Sequence, residues 1–165
     1  MIAIVMGSDS DWPLVKKACD TLKDFGVAFE VRVISAHRTP DEAAEYAKTA
    51  KSRGIKAILS AAGGAAHLGG ILAAHTTLPV IGIPVAGGAL NGIDALLATL
   101  QMPSGIPVAT VTLGSAGPVN AALFAIQILA LSDDSLARKL DAHKKALAEK
   151  VAKANAKIQA EVSAL

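Results

Sequence analysis

Four consecutive residues, Ser35-Ala36-His37-Arg38, put a hydroxyl, an imidazole and a guanidinium side by side, and Thr39-Pro40 directly after them reads as the start of a helix. Thr39 can act as N-cap, Pro40 suits the first helical position, and Glu42 would complete a Thr-x-x-Glu capping box. An anion at this corner would meet a helix N-terminus and a planar, fixed cation, with a side chain beside them of the type that exchanges protons near neutral pH. Two further stretches offer related chemistry. In Gly7-Ser8-Asp9-Ser10-Asp11, backbone amides and two hydroxyls can hold phosphate, while Asp11 suits sugar hydroxyls; Ser10 or Asp11 could equally do no more than cap the following helix. In Ala62-Gly63-Gly64-Ala65-Ala66-His67-Leu68, small residues let a ligand approach the backbone and His67 closes the run, or the glycines serve only tight helix–sheet packing.

Other chemistries lose support. The Gly7–Asp11 loop is neither a P-loop nor a G-x-G-x-x-G turn, no Gly-x-Ser-x-Gly elbow occurs, and no Cys/His/carboxylate spacing resembles a metal site. Cys19, the single cysteine, excludes an internal disulfide, fits a reducing cytosol, and lies in a helical pattern as a packed thiol. His75 and His143 read as structural or exposed, and Asp94 favours the first turn of its own helix. A net charge of +2 without a basic, aromatic-interleaved cluster argues against nucleic acid. The uncharged stretch from Ala57 to Ala74 is rich in alanine, broken by four glycines and His67, and reads as buried protein rather than a membrane span.

The elements that must carry these groups alternate. Apolar runs at Ile2–Met6, Ala28–Ile34, Ala57–Ala61, Pro79–Pro84 and Val108–Leu113 read as strands. Helices are expected from Pro13 to about Gly26, from Pro40 to Gly54, to about Thr76, from Gly92 to Gln101, from Pro118 to Leu131, and from a Ser132-Asp133-Asp134 cap to the C-terminus. This alternation predicts an α/β fold with a parallel sheet covered on both faces, and ligands then bind at the carboxyl ends of the strands. All three polar stretches fall on that edge, as do Val85–Asn91 and Gly114–Gly117.

Between Ala57 and Ser132 the only charged side chain is Asp94, so the helices there lack a solvent face, which implies burial between subunits. In the last helix Leu136, Leu140, Leu147, Val151, Ile158 and Val162 recur at spacings of four and seven, a narrow apolar stripe suited to a neighbouring subunit, or the sign of a surface helix with a frayed end.

Taken in order, Gly7-Ser8-x-Ser10-Asp11-Trp12, Ser35–Pro40, Ala62–Leu68, Gln101-Met102-Pro103 and Asn120-Ala121-Ala122-Leu123 resemble the N5-carboxyaminoimidazole ribonucleotide mutases, the class I PurE family, over about residues 2 to 132. Gly69, where that family usually has proline, the Ala86-Gly87-Gly88 loop and Pro118 depart from its pattern. The resemblance implies a three-layer α/β/α, flavodoxin-like catalytic domain over 1–132. Residues 133–165 would be a C-terminal helix packing on the same or a neighbouring subunit of a cytoplasmic homo-octamer. It implies a phosphoribosyl aminoimidazole substrate and conversion of N5-carboxyaminoimidazole ribonucleotide to its 4-carboxy isomer without ATP, metal or organic cofactor. Ser8, Ser10 and Arg38 would then hold the phosphate and Asp11 the ribose. Ser35 with Gly63, Gly64, Ala65 and Leu68 would line the carboxylate and imidazole pocket; His37 and His67 would be the catalytic pair, His37 transferring the proton and His67 orienting the carboxylate. A carboxylase using free CO2, a non-catalytic phosphoribosyl binder, and an enzyme acting on another carboxylated heterocycle are the competing readings.

Overall fold

The computed structural model describes residues 1–165 and contains a five-stranded, wholly parallel sheet in the order β2-β1-β3-β4-β5. The strands are β1 (Ile2–Met6), β2 (Phe29–Val33), β3 (Ala57–Gly63), β4 (Val80–Val85) and β5 (Ala109–Thr110). The helices are α1 (Trp12–Asp24), α2 (Pro40–Ala50), α3 (Leu68–His75), α4 (Ile93–Leu100), α5 (Gly117–Ala130) and α6 (Asp134–Ser163). The chain forms two compact units, residues 1–126 with the sheet and residues 127–165 with α6.

β1 and β4 are continuous apolar runs because both of their faces are covered. On one face Ala3, Val5, Ile58 and Val80 pack with Ala43, Ala47 and Ala50 of α2 and Leu68 and Leu72 of α3. Ile2, Ile4, Leu59 and Ala61, of opposite parity on β1 and β3, are equally buried, as are Val15, Ala18 and Leu22 of α1 and Ala121, Ala122 and Ala125 of α5. β2, at the sheet edge, is partly buried over Phe29–Val31 and exposed at Arg32 and Val33.

Helix ends follow local chemistry. α1 stops at Gly26, whose φ of +74° admits a reversed backbone; Gly26 N–H donates to Lys23 O and Val27 N–H to Leu22 O, closing the last turn. The expected Thr39–Glu42 capping box does not form. Pro40 does open α2, and Asp41 and Glu42 sit in its positive first turn, but the Thr39 side chain makes no cap bond. Its hydroxyl instead accepts from Ser35 N–H at 3.1 Å and donates to Ser35 O at 3.2 Å. The expected strand Val108–Leu113 shrinks to two paired residues, since only Ala109 and Thr110 find partners, on Ile81 and Gly82. α6 begins as expected, Asp133 accepting from Ser135 and Leu136 N–H.

Candidate functional site

The order of the strands reverses between β1 and β3, and a sheet wound this way opens a crevice at the carboxyl ends of those strands. Three loops meet there in a cleft of about 260 Å³, lined by Gly7, Ser8 and Asp11 after β1, Ser35–Arg38 after β2, and Ala62, Gly63, Ala66, His67 and Leu68 at the end of β3 and the start of α3. The loops after β4 and β5, expected on the same edge, do not line it.

Each loop is internally fixed. After β2, Arg38 N–H and Nε donate to Ser35 Oγ at 3.2 and 3.3 Å, and Nη2 donates to Gly7 O at 3.0 Å, which ties this loop to the one after β1. The guanidinium is thereby oriented with N–H donors to spare for an anion. After β1, residues Asp9–Asp11 form a short 3-10 turn capped by Ser8, whose hydroxyl accepts from Ser10 N–H at 3.3 Å and Ser10 Oγ at 2.9 Å and donates to Asp9 Oδ1 at 3.2 Å. Asp11 holds the N-cap position of α1, but neither its side chain nor that of Ser10 makes a cap bond there. Burial pushes the Asp11 carboxyl above the usual carboxylate range, and Asp9 adds to this; hydrogen bonds from Ser8 and Ser10 oppose it. After β3, Ala66 N–H donates to Gly63 O at 3.1 Å across a tight turn, with positive φ at Gly64 and at Ala66, an unusual conformation for alanine.

These turns bring two histidines together across the cleft. His37 Nε2 lies 2.6 Å from His67 Nδ1, with ring centroids 4.8 Å apart and planes at 81°. A bond this short between two imidazoles needs one proton between them, so the two side chains act as a unit.

Of the residues expected to form the site, Ser8, Asp11, Ser35, His37, Arg38, Gly63, His67 and Leu68 line the cleft. Ser10, Gly64 and Ala65 do not. Ser10 supports Ser8 from behind, Gly64 shapes the turn, and Ala65 lines a second cleft with His67, Gln101 and Met102. The Gly7 carbonyl that holds Arg38, and the locking role of Thr39, were not foreseen; a carbonyl carries no side-chain signal, and the Ser35–Thr39 spacing of four was the only cue to the second. No three His, Cys, Asp or Glu side chains come together as metal ligands do.

Residues 1–150 match the family of AIR carboxylases. The chain belongs to that family. Among curated relatives, the N5-carboxyaminoimidazole ribonucleotide mutase of Bacillus subtilis is 60% identical over 141 residues, covering 86% of this chain and 87% of its own length. The enzyme of that name from Brucella melitensis is 54% identical, covering 92% and 93%. Among solved structures, PurE of Treponema denticola superimposes with a TM-score of 0.86 at 30% identity over 94% of this chain and 96% of its own. Family membership thus extends beyond the sheet into α6, as far as Lys150. No helix of this family member is long and apolar enough to cross a membrane.

Proposed function

We infer that this chain is an isomerase of purine biosynthesis, converting N5-carboxyaminoimidazole ribonucleotide to 4-carboxy-5-aminoimidazole ribonucleotide. The observation that carries the mechanism is the His37–His67 pair in the wall of a cleft that also holds Arg38, Ser8 and Asp11.

Arg38, pre-oriented by Ser35 and Gly7, binds the substrate phosphate. The Ser8 hydroxyl turns to it from its present partners, Ser10 holds that hydroxyl in place from outside the cleft, and Asp11 accepts from the ribose hydroxyls. The carbamate loses CO2 readily, so the task is to hold CO2 beside C4 of the ring. Ala62, Gly63 and Ala66 give that part of the cleft a small, uncharged wall where proximity supplies most of the advantage. C4 attacks CO2 and His37 removes the C4 proton, restoring aromaticity. General acid–base catalysis by such a side chain contributes roughly 10²–10⁴-fold.

The apolar, exposed face of α4 supports a homo-octamer, with residues 133–165 packing on the same or a neighbouring subunit. The phosphorylated, labile substrate and the single unpaired cysteine support a cytoplasmic setting. A carboxylase using free CO2 is the second reading, favoured by the description of the family as AIR carboxylases; relatives at 51–60% identity that are called mutases favour the first.

His37→Asn keeps a side chain of similar shape without a base. It is expected to bind substrate with KM within a few-fold of the unmodified enzyme while kcat falls by about 10²-fold or more. Near-normal kcat would remove His37 from the mechanism.

A further inference from the structure

The His37–His67 bond uses Nε2 of one ring and Nδ1 of the other, leaving His37 Nδ1 and His67 Nε2 as the outer nitrogens. His37 lines only the main cleft, whereas His67 also lines a second cleft of about 460 Å³ formed by Ala65, Ala66, Gly70, Ile71, Ala98, Thr99, Gln101 and Met102. His67 is thus a shared wall between two spaces, and the only titratable side chain in the second.

We propose that the histidine pair is a two-ended proton relay, passing protons between substrate at His37 Nδ1 and water in the second cleft at His67 Nε2. This rests on the mutase reading above and extends it to His67 and to the Gln101-Met102 segment.

A neutral pair has two forms. When His67 Nδ1–H donates to His37 Nε2, His37 carries its single proton on Nδ1 and is an acid. When His37 Nε2–H donates to His67 Nδ1, His37 Nδ1 is bare and is a base. The reaction needs these in succession. In the first half, the N–C bond of the carbamate breaks, the electron pair stays on nitrogen, CO2 is freed, and nitrogen takes the proton of His37 Nδ1. The shared proton crosses to His37 Nε2, and His67 Nε2 takes a proton from water, leaving hydroxide. In the second half, a ring electron pair forms the bond from C4 to CO2, and the C4 proton goes to His37 Nδ1. The shared proton returns to His67 Nδ1, and His67 Nε2 releases its proton to the hydroxide. Each half resets the pair for the other, and neither ring rests as an isolated cation.

The test begins with the unmodified enzyme on the N5-carbamate; no turnover there would sink the mutase reading itself. With turnover established, His67→Asn, which can still hydrogen-bond His37 but cannot pass a proton through, is expected to lower kcat by about 10–100-fold with KM unchanged within two-fold, in the range of a lost acid–base group. In a folded His67→Ala, verified by circular dichroism, added methylimidazoles are expected to restore kcat in order of their base strength. A His67→Asn kcat within three-fold of the unmodified enzyme would overturn the relay. So would absence of rescue, or rescue independent of base strength, since a merely structural His67 needs a filler rather than a base.

Discussion

His37 and His67 stand thirty residues apart and meet at 2.6 Å because each closes a loop locked by its own short-range bonds: Ser35–Thr39 and Ser35–Arg38 on one side, the Gly63–Ala66 turn on the other. Asp11 shows the cost of such a site. Burial favours its neutral form, so its carboxyl ionises less readily in the folded chain than in the unfolded one. Below the ordinary carboxylate range both states are protonated and the group costs nothing. As pH rises through the ordinary value and past the raised folded one, the unfolded chain ionises first and stability is lost. Asp11→Asn is therefore expected to raise the urea midpoint at about pH 7 and leave it nearly unchanged at about pH 3, while weakening substrate binding. Equal effects at the two pH values would show that burial of this carboxylate carries no penalty.

At the scale of elements, two glycines separate packing from conformational freedom. Gly82, in the middle of β4, lies under α4. A Cβ there would run into Thr99 Cγ2 and come to 3.2 Å of Val108 Cγ1, so Gly82→Ala is expected to cost about 1–3 kcal/mol or more. Gly69, in the first turn of α3, would place a Cβ in ordinary contact, 3.5 Å from Val108 Cγ1 and 3.6 Å from Ser60 Oγ. Gly69→Ala is expected to stabilise by about 0.4–1 kcal/mol, by limiting the unfolded chain. Chemical denaturation of the two variants checks both signs, and a stabilised Gly82→Ala would contradict the α4–β4 packing. β1, β3 and β4 were legible as apolar runs because burial on both faces writes itself into composition; Gly26 marked a helix end because a reversed backbone favours glycine, whereas α2 stops at Ala50 and Gly54 closes the turn that follows it. β5 was not legible, since six apolar-rich residues cannot reveal that only two find a strand partner. The capping box failed for a similar reason. Its sequence was present, but Ser35 offered the Thr39 hydroxyl a competing partner that only the folded loop supplies. The cleft was legible to the level of which loops converge. Which serine faces it and which supports it was not, because Ser8 at the cap and Ser10 inside the 3-10 turn are the same residue type two positions apart and differ only in direction.

At the scale of the whole molecule, the absence of charge between Ala57 and Ser132 apart from Asp94 corresponds to a bare surface. Ile93, Leu97 and Leu100 of α4 and Leu90 before it are each about half-exposed or more. On α6 the stripe foreseen from its spacing is exposed at Leu147, Val151, Ile158 and Val162. For the octamer proposed above, Leu97→Glu with Leu100→Glu is expected to shift the sedimenting species from the assembly towards the 16.7 kDa protomer. An unchanged mass would place the contacts elsewhere, and a monomeric unmodified protein would reject the assembly altogether. In the mutase reading proposed above, the site must keep one CO2 molecule between its leaving nitrogen and its meeting C4. The most direct measurement compares two routes to the same product without ATP: from the N5-carbamate, and from aminoimidazole ribonucleotide with bicarbonate. We expect the C4-carboxylated product to form much faster from the carbamate. Faster formation from aminoimidazole ribonucleotide and bicarbonate would contradict the mutase assignment and make the chain a carboxylase.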